Sequence, residues 1–142
     1  MLYHIWLVSV RLKMSREGKE ILQELIDAFF LDCESKMIGA GFNNPFALSA
    51  TLKDYGQKYL GCFLSFEEGL KTGDVVLAEA FWRNIFAMKF CTDVETLKIL
   101  VQYTHQQLSL LFDVDHHLLT RGLVKFGDLP KYEINLEEIE HN

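Results

Sequence analysis

Two prolines and nine glycines in 142 residues are few. A β-sandwich needs a turn every few residues, and turns are built from those residue types, so this composition argues against one. Cysteine is equally sparse. Cys33, Cys62 and Cys91 are odd in number, far apart in sequence and without metal-ligand spacing, which excludes a disulfide framework or a zinc knuckle. They read as reduced thiols packed as small hydrophobes, suited to a reducing compartment. No apolar run approaches the ~20 residues of a membrane span. Leu2 to Val10 is too short for one, and its positive charges follow the apolar stretch where a signal peptide would precede it with them. No Arg-rich presequence, internal repeat, low-complexity tract or Gly/Ser linker is visible. Basic residues are not in excess either. The formal charge is −6, and a general DNA or RNA binder needs Lys and Arg to neutralise phosphates.

What the chain does have is apolar surface. Hydrophobic residues make up 49% of it and aromatic residues 13%, with eleven Phe, enough to fill a sizeable core. Charge is distributed unevenly. Met1 to Arg16 carries three basic residues and no acidic ones; Glu17 to Glu34 carries six acidic residues against Lys19; Asp128 to Asn142 carries five against Lys131. A basic start and two acidic blocks lie under the net value.

The punctuation predicts an all-α bundle of about five antiparallel or crossing helices. Leu2 to Met14 is apolar nearly all round and reads as a buried helix. It starts without a cap at residue one, so further elements are expected upstream. Ser15 caps a second helix, with Glu17 in its first turn and Leu22, Leu25, Ile26, Phe29, Phe30, Cys33 and Met37 at three-four spacing. Gly39 and Gly41 stop it. Asn44-Pro45 opens a third helix, cap then proline, carrying Leu48, Leu52, Tyr55, Tyr59, Phe66 and Leu70 and ending at Gly73. Gly56 and Gly61 inside it are read as points of close helix approach or a kink. Asp74 is expected to cap a fourth helix, with Leu77, Ala78, Phe81, Trp82, Ile85 and Phe86 inward. Thr92-x-x-Glu95 reads as a capping box for a fifth helix bearing Val94, Leu97, Val101, Thr104, Leu108 and Leu111. A short helix follows Asp115. Leu123 to Tyr132 reads as extended chain. The expected organisation is a helical domain over 1–127 and an acidic tail over 128–142.

Few residues suggest chemistry. Asp113, Asp115, His116 and His117 are the best metal candidates, but adjacent histidines on a helix point about 100° apart and rarely share one ion. A capped loop with exposed imidazoles is the plainer reading. His105 has no carboxylate one turn away in sequence, and nothing selects it or His4 for haem. A di-iron bundle needs Glu-x-x-His on two helices, and Glu20 and Glu24 lack the His. Gly39-Ala40-Gly41 follows a helix, whereas a phosphate loop follows a strand. No Ser or Cys lies on a nucleophile elbow. No cofactor is therefore expected, and the residues alone describe a non-catalytic helical domain. A small helical metal- or haem-binding enzyme and a generic helical adaptor stay open as alternatives.

The ordered motifs resemble a known family. His4-Ile5-Trp6-Leu7 through Val10-Arg11 is similar to the "L-H-V-W … V-R" helix of the ubiquinol–cytochrome c chaperone domain. Tyr59-Leu60-Gly61 followed by Phe66-Glu67-Glu68-Gly69-Leu70 resembles its "F-Y … Y-x-E-G-L" stretch. Asp74 through Leu77, Ala78, Ala80, Trp82, Arg83, Asn84 and Phe86 resembles its "D … L-A-x-A-L-W-R-N-x-F" signature. Leu100-Val101-Gln102-Tyr103 and Thr120-Arg121-Gly122 follow in family order. The likeness covers nearly the whole chain.

That resemblance implies an assembly chaperone for mitochondrial ubiquinol–cytochrome c reductase, complex III. It implies that the client is newly synthesised cytochrome b, held together with a small helical assembly-factor subunit. It also implies a place near the mitochondrial ribosome's exit region, on the matrix side of the inner membrane and peripheral to it at most. Partner contact is expected at His4, Trp6 and Arg11 of the first helix and at Trp82, Arg83 and Phe86 of the fourth. A basic edge of Arg11, Lys13, Arg16, Arg83 and Lys89 would meet RNA or an acidic partner. The opening apolar helix and the aromatic fourth helix are expected to be covered by another polypeptide.

Overall fold

A computed structural model describes residues 2–89 and 92–130 of the chain. Cys91 and the acidic tail beyond Pro130 lie outside the described residues. Among the described residues there are six α-helices and no strand: α1 (Leu2–Leu12), α2 (Arg16–Gly39), α3 (Pro45–Thr72), α4 (Asp74–Asn84), α5 (Val94–Asp113) and α6 (His116–Thr120). An all-α bundle of five substantial helices and one short one is what the periodicity predicts.

The boundaries follow from local chemistry. The Ser15 hydroxyl accepts the Gly18 N–H at 2.9 Å, closing the first turn of α2. The corner before it is tight, since a Cβ on Gly18 would lie 2.1 Å from the Leu12 carbonyl oxygen. The Asn44 side chain accepts from Phe46 and Ala47 at 3.0 and 3.2 Å, and Pro45 occupies the first helical position, where a missing N–H costs nothing. Two expected caps are corrected. Asp74 is the first residue of α4, not its cap; Gly73 occupies the cap with φ +141°, and no side chain bonds there. Asp93, not Thr92, caps α5: its carboxylate accepts the Thr96 N–H at 2.6 Å, and hydrogen bonding from the Thr96 side chain and then its backbone lowers its pKa from the ordinary value. A carboxylate one residue closer to the helix outcompetes the Thr92 hydroxyl for the same orphan amides.

Neighbouring helices run antiparallel from α1 through α5, and α1 lies parallel to α5, with Tyr3 on Thr104 at one end and Arg11 over Phe112 at the other. The centre is aromatic. Trp6 is fully buried, with ring centroids 5.0 Å from Phe66 of α3 and 6.2 Å from Phe81 of α4, and Phe66 meets Phe81 at 5.0 Å. Leu7, Leu12, Leu77, Ala80 and Leu111 complete the core around them. The expectation that α1 awaits a foreign polypeptide is therefore overturned. Its apolar circumference is consumed by α2, α3, α4 and α5 of the same chain, because a helix apolar all round is covered most fully at the middle of a bundle.

After α6, residues Leu123–Pro130 run as irregular chain along α5. The Gly127 N–H donates to Oε1 of the buried Gln107 at 2.6 Å, and Phe126 packs on the His4 ring with centroids 4.6 Å apart. The α2–α3 pair extends away from this core. Its inner faces are joined by Phe29, Phe30, Tyr55 and Tyr59, with ring centroids 5.4 to 6.3 Å apart. Of the three interior glycines of α3, Gly56 stands in ordinary contact with Phe30 at 3.7 Å and Gly61 meets nothing within 4 Å. The close approach occurs instead at Gly69, where a Cβ would lie 2.5 Å from the Leu77 Cα. This contact, with the Gly73 turn, sets α4 directly against α3.

Candidate functional site

An open groove of about 760 Å³ lies between α4 and α5. One wall is Val75, Ala78 and Trp82, at i, i+3 and i+7 on α4; the other is Val94, Leu97 and Val101 on α5. Val75 is 83% exposed and Val94 65%, values that packing among the described residues leaves unexplained. Polar groups sit on the rim. The Asp74 carboxylate and His105 Nε2 are hydrogen bonded at 2.8 Å across one end, tying the start of α4 to α5. Glu79, Lys98, Gln102 and Gln106 complete it. At the other end the Trp82 indole N–H donates to the Lys89 carbonyl at 3.2 Å. The chain turns there through Ala87 and Met88, with φ of +50° and +56°, a left-handed conformation that non-glycine residues rarely adopt.

The structure separates the six residues expected to meet a partner. Trp82 alone lines the groove. Arg83, next in sequence, turns to the other side of α4. It pairs with Glu79 at 3.0 Å and borders a shallow hollow with Tyr59, Cys62 and Asn84. Phe86 lies past the end of α4, half-buried in the left-handed turn. Trp6 is in the core, where its side chain reaches no surface. Arg11 is half-buried on α1, its guanidinium 5.8 Å from the Phe112 ring centre and its Nε without a hydrogen-bond partner. His4 lies on the α1–α5 seam, 3.2 Å from the Tyr103 hydroxyl, and desolvation lowers its pKa below the ordinary value. Beside it the Tyr3 phenol bonds Thr104 Oγ1 at 2.7 Å, and burial pushes its pKa up to about 12.

The expected basic edge is interrupted. Lys13 pairs with Glu67, Arg16 with Glu20 and Arg83 with Glu79, so three of its five cations carry their own anion. Two of the four residues weighed for a metal have structural roles: Asp115 caps α6 through the His117 N–H at 2.8 Å, and His116 bonds Glu17 at 3.0 Å. Among the described residues no three His, Cys, Asp or Glu side chains cluster closely enough to hold an ion. Nor is any helix among them long and apolar enough to cross a membrane. The arrangement offers apolar recognition of a partner surface, with polar groups to orient it at the rim.

Val75 was missed by sequence reasoning. Its signal is visible in retrospect: it falls off the stripe of Leu77 and Phe81 that faces the core, so an apolar residue there faces something else. Ala78 and Trp82, assigned inward with that stripe, belong with Val75.

No solved structure matches the chain. Among proteins of known name, it is 29% identical over 126 residues to "Protein CBP3, mitochondrial" of Saccharomyces cerevisiae, covering 87% of this chain and 38% of that protein. It is 28% identical over 128 residues to ubiquinol–cytochrome c reductase complex assembly factor 1 of Xenopus laevis, covering 89% and 63%. To the human protein of that name it is 29% identical over 130 residues, covering 90% and 43%. The chain thus spans less than two thirds of the length of these relatives. The sequence pattern of the family described as ubiquinol–cytochrome C chaperone matches residues 1–126, all six helices included, and the chain belongs to that family.

Proposed function

We propose that this protein is an assembly chaperone for ubiquinol–cytochrome c reductase, and that it works by holding a helix of newly synthesised cytochrome b in the groove between α4 and α5. The observation that carries the reading is the groove itself. It is walled by Val75, Ala78, Trp82, Val94, Leu97 and Val101, with its polar groups confined to the rim. A helix destined for a membrane is apolar on every side, so it gains by covering such walls while it waits for lipid. Its backbone polar groups are already satisfied internally, so an apolar groove costs it nothing in hydrogen bonds.

In this reading the protein catalyses nothing. A small helical partner subunit binds the same molecule outside the groove, with Arg11, Arg83 and Phe86 as candidate contacts. The word "mitochondrial" in the yeast relative's name supports a mitochondrial address; within it, the reading puts the protein on the matrix side of the inner membrane.

The test is recovery of radiolabelled newly made cytochrome b with the tagged full-length protein from organelles. Val75→Asp places a charge on the groove wall at a side chain already exposed, so folding should survive and the recovery of cytochrome b should fall several-fold. Arg83→Glu should weaken recovery of the small partner. Equal recovery of cytochrome b by Val75→Asp and wild type would refute the groove as the client site.

A further inference from the structure

From Met37 to Leu52 the sequence has no Asp, Glu, Lys, Arg or His, the longest uncharged run in a chain that is 24% charged. The fold places this run at the tip of the α2–α3 hairpin, away from the groove and the core. Three of its large side chains point outward, Phe46 at 88% exposed, Ile38 at 51% and Phe42 at 42%, while Leu48 is buried. Three neighbouring apolar side chains on a convex end are not explained by packing within this chain.

Much of the tip's backbone is satisfied locally. The amides of Ala40, Gly41 and Phe42 donate to the carbonyls of Lys36, Ile38 and Met37 at 3.0, 2.9 and 3.0 Å. Those of Phe46 and Ala47 donate to the Asn44 side chain, and Pro45 has no amide to satisfy. With these five amides satisfied internally, the tip leaves water at a lower cost, which favours a low-dielectric surrounding. Charge returns on both shoulders, at Asp32 and Lys36 on α2 and at Lys53, Asp54 and Lys58 on α3. At the rise of an α-helix the nearest of these charges, Lys36 and Lys53, stand about 5 Å and about 12 Å from the tip ends of the two helices. That brackets the roughly 5–10 Å to which interfacial elements enter a bilayer, with the lysines left at headgroup level beside the phosphates.

We propose that the α2–α3 tip is a membrane-contact site that inserts Ile38, Phe42 and Phe46 into the interfacial layer of a lipid bilayer. A convex apolar tip suits a fluid phase, which wraps it without a preformed complementary pocket. The contact is shallow and reversible, on the scale of a single acyl chain, with a binding constant on the order of 10⁴ M⁻¹. It would hold the α4–α5 groove close to a membrane surface, yet it stands whether or not that groove binds cytochrome b.

The experiment is flotation of the purified full-length protein with vesicles of phosphatidylcholine alone and of phosphatidylcholine with an anionic phospholipid, without any client present. The wild type is expected to float with both. Phe46→Ser alone and Phe42→Ser with Phe46→Ser should progressively lose binding, by about tenfold or more for the pair, at an unchanged melting temperature because both side chains are solvent-facing. Phe46→Trp should retain or strengthen it, since indole favours the interface. The proposal is overturned if the wild type does not float with either vesicle, or if the double variant floats as well as the wild type.

Discussion

The approach of α4 to α3 makes a sharp prediction at Gly69. A Cβ built there falls 2.5 Å from the Leu77 Cα and 2.9 Å from its backbone nitrogen. Ordinary carbon contacts lie near 3.5–4.0 Å, so Gly69→Ala must push the helices apart by about 1 Å. The obstacle is backbone, and no rotamer change can relieve it. Overpacking of this kind costs roughly 1–3 kcal/mol, and the upper end applies when nothing flexible can move. Alanine returns about 1 kcal/mol through its better helix propensity. The net loss is then about 2 kcal/mol, or a melting temperature lower by about 5–10 °C for a domain of this size. Gly61 is the internal control: it lies on the same helix and meets nothing within 4 Å. Gly61→Ala should leave stability unchanged or raise it by up to about 1 kcal/mol. Urea denaturation followed by circular dichroism at 222 nm measures both. If Gly69→Ala proves as stable as Gly61→Ala, the inferred packing of α3 on α4 is wrong, and so is the placement of the Trp82 wall that depends on it.

Two further outcomes follow from buried polar groups. Gln107→Ala removes the acceptor for the Gly127 amide, so it should cost about 1–2 kcal/mol and speed amide exchange over Leu123–Pro130, read by hydrogen-exchange mass spectrometry. Burial lowers the His4 pKa, so the folded state binds a proton there less readily than the unfolded chain does. Its contribution is complete above the unfolded value of about 6.5 and is lost as pH falls through the lower folded value. Between pH 7 and pH 5 the urea midpoint of the wild type should therefore drop more than that of His4→Gln; equal slopes would show that this imidazole titrates normally.

The residues that positioned the site were legible to different degrees. Asn44-Pro45 and Ser15 signal their helices because a cap works through neighbours two or three residues away. Asp93 displaced Thr92 on the same short scale, an error of one residue between two competent caps. Trp82 was singled out by resemblance, and it does line the groove; its companion Val75 was passed over because only its distance from the core stripe marked it. Arg83 and Trp82 read as one unit in sequence, but successive residues on a helix point about 100° apart, and the fold turns them to opposite sides of α4.

From sequence alone came the all-α class, nearly every helix boundary and the family, since capping, three-four periodicity and motif order all act over a few residues or in linear sequence. Which apolar helix would be covered was settled only in three dimensions. α1 and α4 looked alike as apolar stripes, yet α1 is enclosed by four helices while α4 keeps Val75 and Trp82 on an open wall. Burial depends on every neighbour at once, and those neighbours are brought together across up to about a hundred residues, as Tyr3 with Thr104 and His116 with Glu17 are here.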